Sequence, residues 1–513
     1  MTVSASNNKR IAKNTLLLYF RMFFIMIVNL YTSRIVLQVL GVNDFGIYNI
    51  VGGVIVLFSF FNNALLTSTQ RFLNYEIGQN DLEAQKKIFK TSMSIYLLFA
   101  LIIFLLAESL GLWFLNTQLN IPDDRMKATN WVFQFSLVAF IINVIRIPYN
   151  ATVIAQEKMS FYAYLSIVEV ILKLLIVYLL LMIAFDKLVV YASLITAVTA
   201  IIWIAYRSYC LKQFTTCQFS FYYDKETYHK MLSFSGWSFF GSVTNLSVNQ
   251  GVNILLNIFY GVTISASAGI SNQIRGAINN FLVNFQIAFN PQIVKSYANK
   301  ENERFQTLII YSSKYSYYLM FLICIPFCIN ARFIILKWLG VLSDYLIEFT
   351  IGSLFILIVD SISAPLGFAI QATGNIKKYQ IIYSCISLLQ FPLSYLLLKM
   401  GFSPIYVFVS WCVISLINYC WKICFVTNQI NMSTCIYVRK VIAPILVTSG
   451  VSIATLYFFP IPIQAKTWTH FISSTLFIII YLLIIIGITG LNKKEKSFFI
   501  NLVKTKISLK KQI

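Results

Sequence analysis

Long apolar stretches separated by short polar segments follow one another along almost the whole chain. A run of about 20 apolar residues is long enough for a helix to cross a bilayer. The first run, Thr15 to Val39, is too long for the apolar region of a signal peptide and leads directly into a second one. The pattern predicts an all-α, polytopic membrane protein with fourteen transmembrane helices, near residues 14–39, 45–70, 88–111, 128–154, 161–184, 188–210, 230–260, 263–290, 306–330, 346–370, 378–399, 402–425, 440–459 and 468–489.

An internal repeat divides these helices into two sets of six. The recurring residues lie 217 to 221 positions apart and include Pro148/Pro365, Ala155/Ala372, Tyr162/Tyr379 and Gly41/Gly261. Because six is an even number, both sets enter from the same side and form a parallel repeat about the membrane normal. We expect an N-terminal lobe, a cytoplasmic linker, a C-terminal lobe, two appended helices and a basic cytoplasmic tail, at 1–210, 211–229, 230–427, 428–490 and 491–513.

Composition agrees with this class and explains the basic character. The 513 residues are 58% hydrophobic and only 11% charged, with a formal net charge of +22. Lys and Arg favour one set of predicted loops by about four to one. The positive-inside rule then places both termini of this multi-pass protein in the cytoplasm. Most of the charge is therefore expected to contact anionic membrane lipids, and nucleic acid is not an expected partner.

Six cations interrupt the apolar segments and are the most informative feature of the chain. Each costs roughly 2.5–3.5 kcal/mol at mid-membrane, which a simple anchor would not carry. A hydrated cationic cavity for an anionic substrate explains them. The predicted cavity residues are Arg275, Lys173, Arg146, Arg21, Arg34 and Lys314, and for Arg21, Arg34 and Lys314 snorkelling to an interface stays an alternative.

Asparagines form polar stripes on the seventh and eighth predicted helices. Asn245, Asn249, Asn253 and Asn257 are four residues apart, and Asn272, Arg275 and Asn279 share one face of the next helix. Interhelical hydrogen bonding is an alternative role for amides of this kind. The arginine in the row favours a hydrated lumen, so Asn249, Asn253, Asn272 and Asn279 join the predicted cavity.

Two deep carboxylates accompany the cations. Glu169 and Lys173 are an i,i+4 pair, and Asp360 is the deep acid of the tenth predicted helix. Each is a candidate for binding a coupling H⁺ or Na⁺, and each has a structural ion pair as the alternative. The chain has no phosphate-cradling Gly-rich loop and no Cys/His metal set, so we expect no cofactor, no metal site and no enzymatic activity.

The segment from Ser33 to Asn49, with its Leu40-Gly41…Phe45-Gly46-Ile47-Tyr48 pattern, resembles the polysaccharide-transporter branch of the MOP exporter superfamily, the Wzx-type flippases of O-antigen and capsule assembly. Fourteen spans arranged as six, six and two are also similar to that family. The second lobe has Tyr260-Gly261-Val262-Thr263 and lacks the Phe-Gly-x-Tyr continuation.

The resemblance implies a multi-pass protein of the bacterial inner membrane. It would be a flippase that moves undecaprenyl-diphosphate-linked oligosaccharide across that membrane by alternating access, for surface-polysaccharide synthesis. The basic cavity would hold the diphosphate and acidic sugars, and a polysaccharide polymerase would be a candidate partner. A MATE-like drug/cation antiporter is the first alternative, although it would want a mainly acidic cavity. A peptidoglycan-precursor flippase stays open, and a membrane polysaccharide polymerase is the least favoured because no large outer loop is expected.

Overall fold

The computed structural model describes residues 2–56, 60–117, 121–182, 185–220, 222–340, 343–458, 467–492 and 495–496. Over these residues the chain is helical between short connections and contains no strand. Eleven helices are long and apolar enough to cross a membrane. The predicted spans 45–70, 230–260 and 263–290 are richer in Asn, Ser and Thr, and they too are helical where described. The structure confirms the all-α, polytopic architecture.

The helices have the following bounds in chain order: α1 Thr2–Val56, α2 Phe60–Gly78, α3 Leu82–Leu106, α4 Leu112–Thr117, α5 Met126–Ala155, α6 Met159–Met182, α7 Lys187–Gln213, α8 Lys225–Ala298, α9 Asn302–Ile329, α10 Ala331–Leu339, α11 Leu346–Thr373, α12 Lys377–Leu388, α13 Gln390–Lys399, α14 Ile405–Gln429, α15 Thr434–Tyr437, α16 Ala443–Phe458 and α17 Trp468–Ile485. Single π-helical turns join α3 to α4 and α15 to α16, and another extends α17.

Two glycines turn the chain within the long helices α1 and α8. Gly41 has φ 78° and ψ 169°, and Gly261 has φ 81° and ψ −176°. Side chains other than hydrogen are excluded from this region of conformational space, so the turn depends on glycine. The two residues are repeat partners in the sequence, and they adopt the same backbone conformation.

Helix boundaries recur with the same spacing. The helices that begin 218 to 220 residues apart are α3 and α9, α5 and α11, α6 and α12, and α7 and α14. Pro148 and Pro365, which the sequence pairs, lie inside α5 and α11. Equivalent positions of the two repeats can therefore be compared directly.

The chain forms two compact units. Unit 1 contains Met1–Thr244, Ile287–Asn302 and Gln371–Ile381, and unit 2 contains Asn245–Gln286, Glu303–Ile370 and Ile382–Ile513. In unit 1, α5 packs against α1, α2, α3, α6 and α7 around a core that includes Phe89, Tyr149 and Val177. The core of unit 2 includes Leu256, Phe349, Phe408 and Trp411.

Candidate functional site

A polar cleft lies inside unit 2, between α8, α11, α12 and α14. Its cavity volume is about 40 Å³. Its charged lining consists of Arg275, Asp360 and Lys422, and Trp411 supplies an aromatic wall. The remaining polar lining is made of amides and hydroxyls, from Asn245, Asn249, Asn418, Ser363, Ser387, Ser415 and Tyr383.

Arg275 is the predicted mid-membrane arginine, and the structure places it in this cleft. Its Nη2 atom donates to Asp360 Oδ2 at 2.9 Å, and its guanidinium lies 5.2 Å from the centre of the Trp411 ring. Ser415 donates to the other carboxylate oxygen of Asp360 at 2.8 Å. The ion pair thus holds the Arg275 guanidinium at the wall of the cleft.

Lys422 is a cleft residue that the sequence interpretation missed. Its place at the end of the twelfth predicted helix assigned it to the cytoplasmic surface, but the residue is buried at 7% exposure. The ammonium donates to Ser363 Oγ at 3.3 Å and lies 4.5 Å from the Tyr383 ring centre. A signal was present, because Trp411, Ser415 and Lys422 recur at helical spacing along one face of α14.

The predicted asparagine stripe divides between two tasks. Asn249 lines the cleft and donates to the Asn245 backbone carbonyl at 2.7 Å. Further along, the Asn272 amide lies 3.5 Å from Asn253 Oδ1 and joins the two halves of α8 across the Gly261 turn. Asn279 is half-buried on the same helix. Asn253 and Asn272 therefore form the helix-to-helix contact that was the alternative role for these amides. Asn249 lies in the lining of the cleft.

A second charged cluster lies in unit 1 on α5 and α6. Glu169 bridges two cations, with Arg146 Nη1 at 3.2 Å and Lys173 Nζ at 2.7 Å from its two oxygens. The Arg146 guanidinium also lies 5.6 Å from the Tyr206 ring centre. The i,i+4 contact predicted for Glu169 and Lys173 is formed, and Arg146 is added to it.

Arg21 extends the cationic character of unit 1 on α1. Its guanidinium stacks 4.4 Å from the centre of the Tyr162 ring. Its Nε and Nη1 atoms are buried and have no hydrogen-bond partner among the described residues. Buried N–H groups without acceptors cost free energy.

Lys314 and Arg34 are placed differently from the other predicted cavity residues. Lys314 is buried against Glu495, whose two oxygens accept its ammonium at 2.8 and 2.7 Å. Lys314 is absent from the lining of the unit 2 cleft, and its charge is neutralised in a structural pair, which corrects its assignment to the cavity. Arg34 is exposed on α1.

Cations outnumber carboxylates in both clusters. Unit 1 brings together Arg146 and Lys173 around Glu169, with Arg21 stacked beside them on Tyr162, a residue of the same helix as Glu169. The cleft in unit 2 combines two cations with one carboxylate. Guanidinium and ammonium groups in a site of low dielectric constant form strong, charge-assisted hydrogen bonds with phosphate and carboxylate oxygens. Within the described residues, no group of three or more His, Cys, Asp or Glu side chains could hold a metal ion.

No protein-family model matches the chain, and no curated protein shows significant sequence similarity to it. Solved structures do share its fold. A crystal structure of a MATE point mutant superposes with a TM-score of 0.71 at 13% identity, over 82% of this chain and 96% of the other. An outward-facing multidrug resistance MATE transporter of the MOP superfamily gives 0.71 at 13% identity, over 83% and 96%.

A third match is a MOP superfamily transporter from Pyrococcus furiosus, which was described as having a binding pocket of reverse polarity that suggests a different function. It superposes with a TM-score of 0.70 at 13% identity, over 83% of this chain and 96% of that one. At this identity the likeness concerns the fold. The chain is therefore a multi-pass membrane protein with the fold of MATE-type transporters of the MOP superfamily.

Proposed function

We propose that this protein is a flippase that moves undecaprenyl-diphosphate-linked oligosaccharides across the bacterial inner membrane by alternating access. The observation that carries the proposal is the excess of deep cations over deep carboxylates in both clusters. A diphosphate headgroup is dianionic or more, so it matches a site whose own carboxylates are already neutralised by cations. The two termini lie in the cytoplasm, as the distribution of Lys and Arg predicts.

The lining of the unit 2 cleft supports an oligosaccharide rather than a bare anion. Asn245, Asn249 and Asn418 supply amide groups that donate and accept hydrogen bonds. The Trp411 ring supplies a flat apolar surface against which a sugar ring can pack. Arg275 and Lys422 would bind the phosphates or the carboxylates of acidic sugars, and the polyprenyl tail would stay in the bilayer.

A MATE-like cation antiporter is the second candidate, and two observations favour it. The solved structures with this fold include a multidrug resistance MATE transporter. Glu169 and Asp360 are deep carboxylates of the kind that bind H⁺, Na⁺ or an organic cation. In this chain, however, each carboxylate is already paired with a cation, at 2.7 Å for Lys173 and 2.9 Å for Arg275. We favour the flippase, in which these acids orient the cations and remain candidates for the coupling ion.

The test is accumulation of lipid-linked oligosaccharide in a deletion strain. The strain is complemented with the wild type, Arg275→Met or Lys422→Met. Removing one charge-assisted contact of about 1.5–3 kcal/mol is expected to weaken substrate affinity by one to two orders of magnitude. We therefore expect the intermediate to accumulate and surface polysaccharide to fall with either variant.

Matched controls come from α10, where Arg332 and Lys337 are exposed. Arg332→Met and Lys337→Met remove the same charges from unit 2 without touching the cleft, so both should complement fully. Normal surface polysaccharide in the uncomplemented deletion strain would contradict the flippase proposal. Extrusion of cationic drugs by the purified, reconstituted protein would favour the antiporter instead.

A further inference from the structure

We infer that the C-terminal ends of α2, α5, α8 and α11 form a latch that closes the cytoplasmic side and opens once in each transport cycle. The inference rests on the proposed alternating-access function. All of the residues involved belong to unit 1, in which segments 287–302 and 371–381 from the second half of the sequence pack with the first 244 residues. These four helix ends lie on the predicted cytoplasmic side.

One arm of the latch joins α2 to the end of α11. Arg71 of α2 donates from Nε to the Gln371 carbonyl at 3.2 Å and from Nη2 to the Ala372 carbonyl at 3.0 Å. A cation here adds hydrogen bonds to carbonyls of the last turn of α11 and lies at the negative end of the helix dipole. Gly374 follows with φ 81°, and a methyl group on it would lie 2.5 Å from Arg71 Nη2. A side chain at position 374 would therefore displace the guanidinium from its present position.

The other arm joins α8 to the end of α5. The buried carboxylate of Glu157 accepts from Gln292 Nε2 at 2.6 Å and from Lys295 Nζ at 2.8 Å. Glu157 has φ 56°, an unusual conformation for a residue with a side chain. Its repeat partner 217 positions later is Gly374, which adopts a left-handed conformation without strain. In the first repeat the backbone at this position is therefore strained, and the glutamate side chain there forms the contact with α8.

The two arms meet where α2 and α8 end. Gly78 and Ala298 are 220 positions apart in the repeat, and a methyl group on Gly78 would lie 2.7 Å from Ala298 Cβ. Gln79 donates from Nε2 to the Ala298 carbonyl. Arg71 and Lys295 thus belong to the two helices, α2 and α8, whose repeat-related ends form this contact.

The chemistry of this contact suits reversible opening. It consists of hydrogen bonds, an ion pair and carbonyl caps, all of which water can replace when the helix ends separate at the cytoplasmic surface. An apolar seal of the same extent would have to expose hydrophobic surface at each cycle. The latch is therefore expected to open more readily than the cores of the two units.

Hydrogen–deuterium exchange of the purified protein in nanodiscs tests the latch without any substrate. Glu157→Gln and Lys295→Gln should each raise amide exchange in segments 287–302 and 371–381 by about tenfold, whereas Glu226→Gln, which breaks an exposed pair with Lys230 on α8, should not. Unchanged exchange in both segments would overturn the inference.

A reversible cross-link supplies the second test. In the Gly78→Cys/Ala298→Cys variant the two Cβ atoms would start 2.7 Å apart. The helix ends therefore have to separate by about 1 Å to reach the Cβ–Cβ distance of a disulfide. Oxidation should lower the rate of oligosaccharide transport at least tenfold, and dithiothreitol should restore it. Neither single cysteine variant should respond to oxidation. Undiminished transport by the cross-linked protein would refute the latch. If the wild type fails to transport, the proposed function fails, while the exchange result on the latch still stands.

Discussion

Replacing Glu495 by glutamine is expected to destabilise the protein by about 3–5 kcal/mol, because the change leaves the Lys314 ammonium buried without its counter-charge. The two side chains are only 3% and 2% exposed, and the ammonium contacts both carboxylate oxygens, at 2.8 and 2.7 Å. Glu495 Oε2 also accepts the Asn492 backbone N–H at 2.7 Å. Water therefore cannot take the place of the lost carboxylate.

The free energy of unfolding, measured by SDS titration in mixed micelles, provides the assay. Two further variants separate the effect of losing the ion pair from the effect of its burial. The Lys314→Met/Glu495→Leu double variant should regain most of the stability, since an apolar pair of similar volume often replaces a buried ion pair at little cost. Glu226→Gln, in a pair with Lys230 whose side chains are 75% and 61% exposed, should change stability by less than about 1 kcal/mol. A loss below about 1 kcal/mol for Glu495→Gln would refute the burial of this pair.

Three further changes should give distinct results in the same assay. Gly261→Ala should lower the free energy of unfolding by about 1–3 kcal/mol, because φ 81° with ψ −176° is essentially restricted to glycine. The control Gly269→Ala, within the helix, should be neutral or slightly stabilising. Arg125→Gln should lower the free energy of unfolding by about 1–2 kcal/mol, since this arginine donates four hydrogen bonds to two aspartates. The control Lys127→Gln, at an exposed position, should lower it by less than about 0.5 kcal/mol. Glu169→Gln should cost about 2 kcal/mol by leaving two cations together, and equal stability would contradict the bridged cluster.

Apolar runs of about 20 residues were sufficient to predict the membrane-spanning helices, because each helix has to present a continuous apolar length to the bilayer. The repeat also indicated where the chain turns, and Gly41 and Gly261 adopt equivalent conformations. The two predicted spans 230–260 and 263–290 coincide with the two parts of α8 on either side of Gly261, although asparagines lower their hydropathy.

The cavity was predictable only in part. Arg275, Asn249 and the Glu169–Lys173 pair follow from helical spacing, which is a local property. The partner of Lys314 was not predictable, since Glu495 is 181 residues away and lies in a tail whose lysines suggested a solvated segment. Lys422 was misplaced because its position near a helix end resembles a surface lysine, although its burial is set by α11 and α12 packing around it.

Reconstituted flipping measures the central claim most directly. Proteoliposomes carrying an undecaprenyl-diphosphate-linked oligosaccharide are assayed for the fraction of substrate that becomes accessible on the opposite leaflet. We predict transport by the wild type and by Lys337→Met, and a loss of at least tenfold with Lys422→Met. Equal rates for all three proteins, or no protein-dependent flipping, would contradict the assignment of the unit 2 cleft to an anionic lipid-linked sugar.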